Sequence, residues 1–479
     1  MNRFLLPLLL REPLTTLQAV SVQFLLNQSL FAMAALQLLW LLLIPATGAS
    51  TKYDTILVVA TFSIVATFLV ILLPVRAIPK LKDLKSCLVR SERGSLLFLC
   101  LAAMLIGFLY ALRHSAGGDE LSSLKAANII ASEGIVAAYK RVGWLGEQHP
   151  PLLPILFALT SKLPGPDLLL MRMVSNLFLA GAVAVTYLLG RELYNRETGF
   201  LAATLLLSFP LVIRLSASPI MDIQLAFFFS LALLLCLRLS RKPSYPLACA
   251  AGVVIGLGLL SKYIMVLVFV VLFLCIFFLS SFRAIKSHLL VAAMVSLSIF
   301  ALWLLYASQI GILDRQIQKI LNFTGIYHVT RNLREAALSR QPAAPEVASG
   351  DADPAKEMQN GIFRLGLETL FTRLPSSFGA YHAPLILFGL LYLVKKRDVA
   401  DSFLLLWIGG VSISLFLTLP DHRYFLSVFP AIAMAIARVQ LKFPESAERA
   451  VLLSLLFGAS NLYLFANWVR ESHLFIVMP

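Results

Sequence analysis

The feature that most constrains this chain is a succession of apolar runs, most of them about 15 to 20 residues long, separated by charged connections. They fall near 18–44, 55–75, 95–112, 168–190, 198–213, 222–239, 246–260, 264–282, 289–307, 379–394, 401–418, 425–438 and 450–467. At 1.5 Å per residue such a run matches the hydrocarbon thickness of a bilayer, roughly 30 Å. With 59% apolar and only 14% charged residues among 479, a soluble core cannot account for them all. Backbone groups in hydrocarbon must be satisfied within the segment, and the runs do not alternate as barrel strands do, so helices are the expected spans. The expected fold is all-α: a polytopic integral membrane protein with about thirteen transmembrane helices. The first run follows MNRFLLPLLLREP with no small-residue cleavage site behind it, so it is expected to be retained.

The net charge of +15 would point to nucleic acid in a soluble domain. Its distribution points elsewhere. With the N-terminus in the cytoplasm, the cytoplasmic connections hold clusters such as Lys80, Lys82 and Lys85, Arg238, Arg241 and Lys242, and Lys395, Lys396 and Arg397. The opposite short connections hold single cations: Lys52, Arg214, Lys262 and Arg423. This positive-inside bias orients the chain and leaves contact with anionic membrane lipid, not nucleic acid, as the use of the charge. The five cysteines form no CxxC or paired spacing, so neither a disulfide framework nor a zinc site is expected.

Two outer connections are long, 113–167 and 308–378. The first contains a helical stretch from Asp119 to Ser132 that stops at Gly134, then PLLPILFALTSKL, too short to span and expected to lie at the interface. The second opens with SQIGILDRQIQKILNFTG, apolar at helical spacing, and continues into a stretch rich in Pro, Ala, Gly and Asp. Three regions result: 1–94, with two spans and a basic cytoplasmic loop; 95–440, with the next ten spans and both long outer connections; and 441–479, a last span and tail.

Polar residues gather on the outer rim. Asp119 and Glu120 follow the third span, His149 closes the first long loop, Asp222 follows the fifth span, Lys262 the seventh, and Asp421, His422, Arg423 and Tyr424 the eleventh. Carboxylates beside fixed cations at the bilayer edge suit a reaction on a lipid-borne phosphate ester. A carboxylate accepts the proton of an attacking hydroxyl, and Lys or Arg holds the departing phosphate. Each residue also has a plainer use. Asp119 after Gly117 and Gly118 is a good helix cap, as is Asp222 before its span. Lys262, His422 and Arg423 can be snorkelling interface residues, and Trp144, Trp407 and Tyr424 belt aromatics. Adjacent helical residues point about 100° apart, so Asp119 and Glu120 do not both address one reacting atom.

In order along the chain, GGDE, HPPL, ASPIMD, SKY and HRYFLSVFP resemble the motifs of GT-C membrane glycosyltransferases. The branch containing dolichyl-phosphate-mannose protein mannosyltransferases and bacterial aminoarabinose–lipid A transferases is the most similar. The resemblance runs from about 95 to 440. It implies an inverting transfer of a sugar from a polyprenyl-phosphate donor on the outer face, with Asp119 as base and Glu120 supporting it. Lys262, Arg423 and Tyr424 would bind the donor phosphate, and His149, Asp222 and His422 would support the site. A divalent cation is left open, with Asp119, Glu120 and Asp222 as its carboxylates; no other cofactor is implied. The second long loop carries no soluble β-rich insertion, which favours a lipid or glycan acceptor, in a bacterial inner membrane with a periplasmic site. A protein acceptor is one alternative. A sugar-lipid flippase or transporter is another, disfavoured because the spans are almost free of charge in their middles. A lipid phosphatase would carry a denser set of Arg and His.

Overall fold

The computed structural model describes residues 92–112, 116–143, 145, 149–163, 167–324, 369, 374–378, 382–418 and 421–440. The expected spans at 18–44, 55–75 and 450–467, the centre of the second long loop and Trp144 lie outside them. The described chain is helical, without a strand. In order come α1 (Glu92–Ala111), α2 (Gly118–Glu133), α3 (Ile135–Arg141), α4 (Leu152–Thr160), α5 (Asp167–Leu193), α6 (Arg196–Ser208) and α7 (Pro210–Ser216). Then follow α8 (Asp222–Arg241), α9 (Tyr245–Ser261), α10 (Leu267–Phe278), α11 (Lys286–Gln309) and α12 (Leu313–Thr324). The last are α13 (Ala383–Lys396), α14 (Val399–Thr418) and α15 (Phe429–Gln440). Every expected span between 95 and 438 has its helix, and α1, α5, α8, α11 and α14 are each long and apolar enough to cross a bilayer. The expected single span 198–213 is instead α6 and α7, bent by 72°. Pro210 stands at the break, where its missing N–H and ring end one helix and start the next.

The bundle is built around α8, whose Phe229, Leu233 and Cys236 are buried among α5, α9 and their neighbours. Its charges match its dipole: Asp222 opens the first turn, and Arg238 and Arg241 lie in the last. By contrast α1 and α11 keep Leu97, Leu101, Leu290 and Leu297 exposed, as lipid-facing helices do. α1 is held to α5 by Asn176, whose Nδ2 donates to the Met104 carbonyl at 2.8 Å. Gly107 faces that amide, and a Cβ there would run into it. At the opposite end of α5, Arg191 pairs with Glu92, and Arg238 with Glu192 at 2.7 Å. Trp407, expected at the interface belt, is fully buried: its ring stacks on Phe229 and its Nε1 donates to the Ser427 carbonyl at 3.1 Å.

Between α1 and α5 the first long connection folds into α2, α3 and α4. The α2 helix stops where Gly134 takes φ +90°, a conformation open to glycine and strained for most other residues. α4 is the apolar piece, with Leu153 and Phe157 packed inward and Leu159 exposed. These short helices bring the connection over one end of the bundle.

Candidate active site

At the end of the bundle where α1 and α9 finish and α5 and α8 begin, the polar residues converge. Lys262 is an extended residue, φ −157°, between α9 and the short 3-10 turn Tyr263–Val266. That break in the helix turns its side chain inward. Its Nζ forms an ion pair with Asp222, the first residue of α8, and lies 4.7 Å above the Tyr424 ring. Lys262 and Asp222 are both buried. Asp222 does not cap its helix: Met221 holds that position without a side-chain bond, and the carboxylate is committed to Lys262.

Arg423 is the second cation. It follows a tight Asx turn in which the Asp421 Oδ1 accepts its backbone N–H at 2.9 Å. Its Nε and Nη2 donate to the Asp421 Oδ2 at 3.2 and 3.1 Å, and its Nη1 donates to the Asp119 Oδ2 at 3.1 Å. Burial opposes the charge of Arg423, but Asp222 and Asp421 more than offset it and hold its pKa above the ordinary value. Burial would raise the Asp421 carboxyl; His422, 3.2 Å away, and Arg423 hold it well below the usual carboxylate range. Burial, with Asp222 and Asp421, pushes the Tyr424 phenol up, so it enters the site as a neutral hydroxyl.

A third cation, Lys319, escaped the sequence reading. It lies on α12, which the Tyr263 hydroxyl anchors by donating to the Gln316 side chain, while Trp303 Nε1 donates to the same hydroxyl at 3.2 Å. One turn beyond Gln316, burial and then the nearby charges of Lys262 and Arg423 lower the pKa of Lys319. The His149 imidazole lies within electrostatic reach of Lys262, Lys319 and Arg423. Burial first, and Lys262, Lys319 and Arg423 after it, keep its pKa well below the ordinary value, so it stands neutral at pH 7. Its backbone carbonyl accepts the Tyr139 hydroxyl at 3.0 Å, which fixes the end of the loop.

Asp119 is the second residue of α2, and the cap position is Gly117, with no side-chain cap bond. Its carboxylate, 51% exposed, turns to Arg423. Glu120 turns the other way. It is buried against α5, where Arg172 Nη2 donates to its Oε2 at 2.7 Å and Arg172 Nη1 donates to the Ala111 carbonyl at 2.8 Å. The structure thus gathers Asp119, Asp222, His149, Lys262, His422, Arg423 and Tyr424 and leaves Glu120 apart. Among the described residues no three His, Cys, Asp or Glu side chains are grouped to hold a metal ion; Asp119, Glu120 and Asp222 each face a cation instead. A separate apolar groove of about 600 Å³, lined by Leu156, Leu159, Phe178 and Phe227 among others, opens on the flank of α4, α5 and α8 and shares no residue with the charged cluster.

Residues 148–306 match the family model of dolichyl-phosphate-mannose-protein mannosyltransferase, less than half of the 479. No curated protein matches the chain. Among solved structures, ArnT from Cupriavidus metallidurans bound to undecaprenyl phosphate is similar at TM-score 0.53 and 15% identity, over 74% of this chain and 62% of that one. The Archaeoglobus fulgidus oligosaccharyltransferase in complex with Zn and sulfate is similar at TM-score 0.50 and 17% identity, over 77% of this chain and 52% of that one. The chain therefore matches less than two thirds of the length of either. At these identities the likeness is one of fold, and the fold is GT-C, as the motifs implied.

Proposed function

From a GT-C membrane fold with carboxylates and cations gathered at one end, we propose an inverting glycosyltransferase. It moves a sugar from a polyprenyl-phosphate carrier to a lipid or glycan acceptor on the outer, periplasmic face of a bacterial inner membrane. The observation that carries the reading is the convergence of Asp119 with Lys262, Lys319 and Arg423, residues separate in sequence, at one end of the bundle, where Asp119 and Arg423 stay partly exposed. In the reaction the acceptor hydroxyl attacks the anomeric carbon and its proton passes to Asp119. The bond from that carbon to the phosphate oxygen breaks, and its electron pair leaves with the phosphate, held by Lys262, Lys319 and Arg423. The Tyr424 hydroxyl donates to a phosphate oxygen, and neutral His149 lines the loop beside it. Asp222 holds Lys262 in place, and His422 and Asp421 hold Arg423.

A protein acceptor is the second reading, favoured by the description of the family model matched over 148–306. The test is transfer in membranes from a panel of polyprenyl-phosphate sugars, with lipid, glycan and peptide acceptors offered separately. Wild-type transfer and a loss of roughly 10²-fold in Asp119→Asn are expected, the usual scale for removing a general base. Translocation of the sugar lipid without transfer would instead make the chain a flippase.

A further inference from the structure

Beyond its first turn α2 is seated by apolar packing, with Leu124 and Ile130 against the cluster around Phe157 and Ile129 against that around Trp303, but its first turn does not follow hydrophobicity. Leu121 is 52% exposed, while its neighbour Glu120 is 3% exposed. The inward positions beyond it are small: Ser123, Ala126 and Ala127. Local sequence does not fix the start of the helix either, since Gly117 and Gly118 precede it, neither with neighbours within 4 Å of a Cβ, and no side chain caps it. What does hold the first turn is the buried ion pair to Arg172 on α5. The same guanidinium donates to the carbonyl of Ala111, the last residue of α1. One side chain thus clamps both ends of the connection between α1 and α2. A buried ion pair is rarely the more stable choice over apolar residues of similar size, so stability alone does not explain it.

We propose that Arg172 is a positioning residue that acts through Glu120. With Glu120 held inward, the neighbouring side chain, about 100° round the helix, is turned outward and stays exposed. That neighbour is Asp119, which meets Arg423 at 3.1 Å. The Glu120–Arg172 pair therefore fixes the first turn of α2 and with it the aim of the proposed base. This rests on the glycosyltransferase reading only for its catalytic consequence; the geometric claim stands without it.

Two measurements test it in the full-length protein. In the first, Glu120→Gln and Arg172→Lys are assayed for binding of polyprenyl phosphate and for transfer. Binding within about 2-fold of wild type and turnover lowered roughly 10- to 100-fold are expected, because a misaimed group about 1 Å from its place costs on that order. Wild-type turnover in Glu120→Gln overturns the proposal, as does parallel loss of binding and turnover in both variants, the mark of a merely structural pair. The second needs no activity. In Asp119→Cys the thiol lies beside Arg423, which favours the thiolate, and a water-soluble maleimide should label it quickly. Adding Glu120→Gln should slow labelling by about 3- to 10-fold at neutral pH as the thiol leaves the guanidinium; an unchanged rate overturns the proposal. If the wild type transfers no sugar from any donor, the glycosyltransferase reading falls while the labelling rates still decide the positioning role.

Discussion

Asp119→Asn separates two roles proposed for one carboxylate. Asp119 Oδ2 occupies the Nη1 edge of Arg423, the edge that Asp421 leaves open. A donor phosphate bound by Arg423 must displace it, so the proposed base is released only when the donor arrives. The pair is 51% and 34% exposed, in the range where an ion pair is worth roughly 0–1 kcal/mol. Neutralising Asp119 removes that competitor and should tighten binding of polyprenyl phosphate by up to about fivefold, since 1.4 kcal/mol is tenfold. Loss of the like charge facing the phosphate acts in the same direction. Turnover should move oppositely, falling roughly 10²-fold. The assay pairs equilibrium binding of polyprenyl phosphate to the purified protein in nanodiscs with transfer from the preferred donor. Unchanged or weaker binding in Asp119→Asn would refute the displacement, and full turnover would refute the base.

The other expectations concern the cations and the histidine. Lys262→Met leaves the buried Asp222 without its cation and should cost about 3–5 kcal/mol of stability, read as a lowered thermal midpoint. Lys262→Met combined with Asp222→Asn should regain most of that stability but no transfer. Lys319→Gln, at a half-buried position near Lys262 and Arg423, should raise the donor KM about tenfold with little change in thermal midpoint, the scale of a lost charge-assisted bond. His149 has its pKa lowered in the folded state, so between about 6.5, its unfolded value, and the lower folded one the unfolded chain binds more protons. Its contribution to stability is therefore complete above about pH 6.5 and is lost as pH falls below it. Between pH 7.5 and 5.5 the thermal midpoint of His149→Gln should fall less than that of wild type, and equal falls would refute the assignment.

What could be read in the sequence was whatever repeats or lies local in the chain. The spans between 95 and 438 follow from apolar length, and α2 ends at Gly134 as its glycine implied. The break at Pro210 was legible too, since proline removes a helix donor, yet the apolar run passed straight through it. The readings of Asp119 and Asp222 as caps failed because local propensity yields to a cation brought by another helix: Arg423 lies 304 residues from Asp119, and Lys262 lies 40 from Asp222. Lys319 was hidden in an amphipathic stretch whose polar face could have met water. Arg172 carried a signal that went unused. It is a lone guanidinium one turn into an apolar run, and an ionisable group there needs a partner. Glu120 could not be placed without it, because the burial of Glu120 beside an exposed Leu121 inverts the order that hydrophobicity would choose.

The pairing of Lys262 with Asp222 and of Arg423 with Asp421 and Asp119 also bears on what happens after the chemistry. A spent carrier ends in a bare phosphate, more highly charged than the donor that brought the sugar. A pocket of unmatched cations would grip it hardest at the moment it should leave. In the proposed reaction each of these cations has a carboxylate beside it, so the departing phosphate would exchange one set of partners for another. On that reading the cradle would reset itself by internal substitution and the carrier would return to the membrane for reloading.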